Sequence, residues 1–130
     1  MKENPVLAKE TARLLATSPQ DLEHLFFILF RYPNREFCVY QEGLRCRSMS
    51  YQRAKERCLA CGESIKKMLA GLPKDSILAL DVPSSKEWVF LFWGIFAAGF
   101  KLFLVNSRLD HASNATLLNS LGIHYIVGET

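Results

Sequence analysis

The sequence predicts an α/β protein: a mostly parallel sheet with helices on both faces, preceded by a β-hairpin. From Ser50 onward, short apolar runs alternate with helix-patterned stretches in the order helix, strand, helix, strand, helix, strand. Such alternation implies right-handed parallel crossovers and helices packed on both sides of a sheet. Ahead of it, two β-prone stretches flank Glu42-Gly43, a turn pair that reads as a hairpin. With 49% hydrophobic residues over 130 positions, the chain can fill the core of one ordinary domain. We therefore expect a single α/β domain over residues 18–130, with residues 1–17 as a polar-mixed arm or loose helix.

Each element has its own local reason. Ser18-Pro19-Gln20-Asp21 can open a helix: serine caps, proline fits the first helical position, and the aspartate meets the positive end of the dipole. That helix carries Leu22, Leu25, Phe26, Leu29 and Phe30 and stops before Pro33. Glu36–Gln41 and Leu44–Met49 are the hairpin strands. Ser50 is a cap for a long helix whose Tyr51, Ala54, Cys58, Cys61, Ile65 and Met68 recur at steps of 3, 4, 3, 4 and 3. That is one narrow apolar stripe, ended by Gly71 and Pro73.

Ile77–Val82 is a short apolar run of the kind buried on both sides in a parallel sheet. Ser84 and Glu87 fit an S-x-x-E capping box opening the next helix. Apolar nearly all round from Trp88 to Phe96, it is expected to be buried on more than one side and to end at Gly99. Leu102–Val105 is a strand, Asp110 to Leu121 a helix ended by Gly122, and Tyr125–Val127 a last strand.

Composition excludes several function classes. Sixteen basic and 13 acidic side chains leave a net +3. The densest basic group, Arg45, Arg47 and Arg53, is interrupted by Ser48, Met49 and Ser50. A nucleic-acid binder would show a basic stripe interleaved with aromatics, so no nucleic-acid partner is expected. The longest uncharged apolar run, Trp88 to Phe100, has 13 residues, short of the roughly 20 needed to span a bilayer. No membrane span is expected, and the charged N-terminal stretch does not read as an export signal.

Candidate chemistry is sparse. Cys58-Leu59-Ala60-Cys61 is formally a CxxC, yet it has no second pair and no histidine at ligand spacing. It reads as two small apolar residues on the helical stripe. With a two-residue turn at Glu42-Gly43, Cys46 would pair with Val39 and face away from Cys38, so no disulfide forms. Reduced cysteines suit a cytoplasmic protein. Gly94 to Lys101 resembles a phosphate loop only superficially: Phe100 follows Gly99, and the segment ends a helix instead of following a strand. No G-x-G-x-x-G occurs. His24, His111 and His124 are scattered, and Asp75, Asp81, Glu87 and Asp110 sit at element ends where capping explains them. Asp81 stands apart because it lies near the carboxyl end of a buried strand, where open α/β sheets bind ligands.

The motifs from Ser50 on resemble the amino-terminal part of adenylate-forming enzymes: acyl-CoA synthetases, luciferases and peptide-synthetase adenylation domains. Met49-Ser50-Tyr51 leads a stripe to Ile65 and Leu69, and Pro83-Ser84-Ser85-Lys86-Glu87-Trp88 matches a strand-ending Pro-Asn-Ser-x-Glu-Trp. Ala98-Gly99, Asn106-Ser107-Arg108-Leu109 and Leu121-Gly122-Ile123-His124-Tyr125-Ile126-Val127 follow in order. The departures are Ser84 for asparagine, Ser107 for proline and Lys74-Asp75 for Gly-Asp.

The resemblance implies the N-terminal subdomain of an AMP-binding ligase, which uses ATP and Mg to activate a carboxylic acid and passes the acyl group to a thiol such as coenzyme A. It places the phosphate loop and the catalytic lysine after the region seen here. No catalytic, cofactor-binding or metal-ligating residue is therefore carried over, and this chain alone is expected to be an inactive scaffold without a cofactor. The expected partner is the remainder of such a ligase or a second copy, because the Leu22–Phe30 and Trp88–Phe100 helices would expose apolar surface. A stand-alone interaction module is the competing class. A small nucleotide- or flavin-binding protein is a third, opposed by the missing Gly-rich turn.

Overall fold

The computed structural model describes residues 5–17 and 21–128. Among these, helices α1 (Pro5–Thr17), α2 (Leu22–Leu29), α3 (Tyr51–Met68), α4 (Lys86–Ala97) and α5 (His111–Ser120) accompany strands β1 (Glu36–Glu42), β2 (Arg45–Ser50), β3 (Ile77–Asp81), β4 (Lys101–Leu104) and β5 (Tyr125–Gly128). The α/β class, the antiparallel hairpin and the parallel sheet are all present. The chain divides into two units, Met1–Lys55 and Glu56–Thr130, the division falling within α3.

In the first unit, side chains tie α1 to the segment that follows α2. Arg31 donates to Thr11 Oγ1 at 2.7 Å, and Tyr32 Oη donates to the Glu10 carboxylate at 3.1 Å. Helix α2 is capped by Asp21, which accepts the His24 N–H; the expected Ser18-Pro19-Gln20 start lies outside the described residues. Ile28 and the C-cap residue Phe30 are buried, whereas Leu22 and Leu29 are exposed. Phe30, Phe37 and Tyr51 form an aromatic trio with ring centroids 5.4–5.9 Å apart, within the range that favours tilted and edge contacts.

Strands β1 and β2 pair antiparallel with Glu42 opposite Arg45, so the two-residue turn is Gly43-Leu44, one position later than expected. Glycine explains the shift. Gly43 has φ +61, and a two-residue hairpin turn with glycine first needs positive φ there alone. A turn at Glu42-Gly43 would have forced a left-handed glutamate. Cys46 consequently pairs with Gln41 and Cys38 with Met49. The two cysteines still face opposite ways, and no disulfide joins them.

In the second unit the sheet order is β4-β3-β5, all parallel. The central strand β3 buries three consecutive residues, Leu78, Ala79 and Leu80. Alternation sends Leu78 and Leu80 to one face and Ala79 to the other. On the first face they meet Ile65 and Leu69 of the α3 region together with Leu91, Ile95, Ala98 and Phe100. On the second, Ala79 packs with Leu118 and Ile123, flanked by Phe103 and Val105. Helices thus cover both faces.

Helices α4 and α5 end alike. The Phe100 N–H reaches back to the Ile95 carbonyl and that of Gly99 to Phe96; Ile123 reaches Leu118 and Gly122 reaches Asn119. Gly99 (φ 90) and Gly122 (φ 71) take the left-handed turn this closure requires. The residue after each glycine drops straight into a core cluster.

Three local expectations are corrected. The α3 stripe runs through Ala54, Cys58, Gly62, Ile65 and Leu69, leaving Met68 81% exposed. Steps averaging near 3.4 drift off the face of a straight helix with 3.6 residues per turn. The helix ends at Met68, before Gly71, which does not take positive φ; Asp75 does, at 66°. The cap of α4 is Ser85, not Ser84: its Oγ accepts the Trp88 N–H at 3.3 Å. Glu87 then pairs with Lys86 at 2.8 Å.

Candidate functional site

The sheet offers one place where a ligand would be looked for. The chain leaves β3 through residues 82–85 into α4, which packs on the Leu78/Leu80 face. It leaves the neighbouring β4 through residues 105–110 into α5, which packs on the Ala79 face. The chain thus runs from β3 out to β4 and back across β3 to β5, so the strand order reverses between β3 and β5, and open α/β sheets bind ligands outside the carboxyl ends at such a reversal.

The polar groups at this position are occupied in shaping the loops. Asn106 Oδ1 accepts the Arg108 N–H at 2.9 Å, and Asn114 Nδ2 donates to the Asn106 carbonyl at 3.1 Å. Asp110 accepts the Ser113 N–H at 2.6 Å as the cap of α5. Ser85 caps α4 and also donates to the Pro83 carbonyl. Asp81 closes β3 with its side chain exposed. Its carbonyl lies against Gly128, where a Cβ would come within 2.7 Å of the Asp81 oxygen.

The electrostatics agree with structural roles. The Ser113 hydroxyl and N–H hold the Asp110 carboxyl below its ordinary 3.8. The His24 backbone N–H lowers Asp21, and the Lys86 ammonium lowers Glu87. Carboxyls shifted down remain ionised at neutral pH, the opposite of what a general acid requires. His24 bonds Asp21 at 2.7 Å on α2, His111 opens α5, and His124 precedes β5. All three are exposed and lie on different elements.

The Cys58-x-x-Cys61 pair sits at a close helix crossing. A Cβ placed on Gly94 of α4 would meet Cys61 Cβ at 2.8 Å, Gly62 N at 3.1 Å and the Cys58 carbonyl at 3.3 Å. Cys58 is 1% exposed, and burial pushes its thiol up to about 12; burial also raises Cys61. Thiolate chemistry needs the reverse shift. These are packing residues, and Gly94, the first glycine of the apparent phosphate loop, is one as well. Alkylation of the native protein with iodoacetamide is expected to label exposed Cys46 and to spare Cys58 until denaturant is added. Peptide mass spectrometry showing rapid native labelling of Cys58 would contradict this packing.

Among the described residues, no group of three or more His, Cys, Asp or Glu could hold a metal ion, and no helix is long and apolar enough to cross a membrane. The decisive observation lies in the chain as a whole: the family model for AMP-binding enzymes matches residues 29–130. The chain belongs to the AMP-binding enzyme family.

Solved structures of similar fold include the NpsA N-terminal subdomain of Klebsiella oxytoca, at 20% identity and a TM-score of 0.67, covering 81% of this chain and 26% of that one. O-succinylbenzoate coenzyme A synthetase (MenE) of Bacillus subtilis, solved in complex with ATP and magnesium ion, aligns at 14% identity and a TM-score of 0.65, covering 81% and 28%. The N-terminal domain of FACL13 from Mycobacterium tuberculosis aligns at 23% and 0.55, covering 63% and 20%. At these identities the likeness concerns the fold, which is that of the N-terminal subdomain of adenylate-forming enzymes. The chain spans about a quarter of the length of the solved structures it matches. No curated protein matches the sequence.

Proposed function

We propose that this chain is the amino-terminal scaffold of a cytoplasmic acid–thiol ligase that activates a carboxylic acid as its acyl-adenylate and passes the acyl group to a thiol such as coenzyme A. The observation that carries this reading is the family match over residues 29–130. ATP with magnesium would supply the adenylyl group. This chain's residues contribute the sheet and the loops at its carboxyl edge, and no group that contacts the nucleotide. The occupied caps, the depressed carboxyls and the buried thiols support that division of labour.

Two measurements test it. Isothermal titration of the chain with MgATP is expected to give no binding heat; a stoichiometric, tight site would overturn the scaffold reading. The DNA following the Thr130 codon is expected to encode a Ser/Thr/Gly-rich phosphate loop, and a different continuation would overturn the ligase reading.

Exposed Phe27 and Leu29 on α2 support association of the isolated chain into homo-oligomers. Light scattering is expected to give a mass above that of one chain. A monomer at high concentration would contradict it.

A further inference from the structure

We draw no further inference here: the strongest candidate, the open edge strand β5 with its exposed Tyr125 and Ile126, is an unpartnered apolar face, and nothing in the structure shows what covers it.

Discussion

Gly94→Val is expected to destabilise the protein by about 3 kcal/mol, at the upper end of what overpacking costs. The first added carbon alone would lie 2.8 Å from Cys61 Cβ. Its next neighbours, Gly62 N and the Cys58 carbonyl, are backbone atoms of α3, so no rotamer change relieves the clash and α3 itself must shift. Replacing a helical glycine by alanine gains about 1 kcal/mol. Gly94→Ala should therefore lose less, while valine adds two methyls and recovers little propensity. Gly71→Ala is the control, because nothing lies within 4 Å of its added carbon. It should be neutral or stabilising by less than about 1 kcal/mol. Urea unfolding followed by circular dichroism separates the three. A Gly94→Val protein as stable as the parent would show that α3 and α4 do not approach so closely.

Ile95→Ala is expected to cost about 2–5 kcal/mol, the range for truncating a fully buried aliphatic side chain. Ile95 is 0% exposed and packs among Leu78, Leu80 and Phe100. Against a typical total stability of roughly 5–15 kcal/mol, such a loss leaves a substantial unfolded population on mild heating. Ile126→Ala removes the same atoms from a side chain 58% exposed and should stay within about 0.5 kcal/mol. Equal effects of the two substitutions would mean that the cluster around Ile95 is not the core of the second unit.

Much of the fold was legible because its signals are local. Ile77–Val82 reads as a buried strand from its apolar run, and β3 proves to be the central one. Asp110 and Gly122 bracket α5 as expected, as cap and as left-handed stop. What escaped were choices between neighbouring positions. Ser84 and Ser85 are equally good caps by composition; the chain's φ and ψ at 85 decide between them. Gly43 could sit first or second in its turn; sitting first puts the positive φ on glycine and not on Glu42, and the strand register follows. The apolar pattern leaves Ile28 off the inward face of α2 and puts Met68 on that of α3, because a short or drifting stripe leaves the facing direction open by about one residue.

The helix crossing was illegible for another reason. A glycine inside a helix reads as a weak position, and Gly62 matters only once Gly94 is known to lie opposite it. As to a site, the residues pointed to structural roles for the carboxylates, and the caps at Asp110 and Asp21 give those roles a geometry. The family signal came from the order of several weak motifs, which no single side chain could supply.

The matched closures at Gly99 and Gly122 have a consequence for where this sheet can change in length. Phe100 is bound back to Ile95, and the next residue, Lys101, already donates to Ser76 at the amino edge of the sheet. One inserted residue there would shift β4 by one position and exchange Leu102, which packs toward α4, with Phe103, which packs toward α5. Residues 105–110, at the opposite edge, bear no such coupling to strand register beyond Val105, which donates to the Leu80 carbonyl. An added residue therefore disturbs the register of β4 less in the 105–110 loop than directly after Gly99, so of these two connections the one at the edge that can face a ligand is the freer to be remodelled.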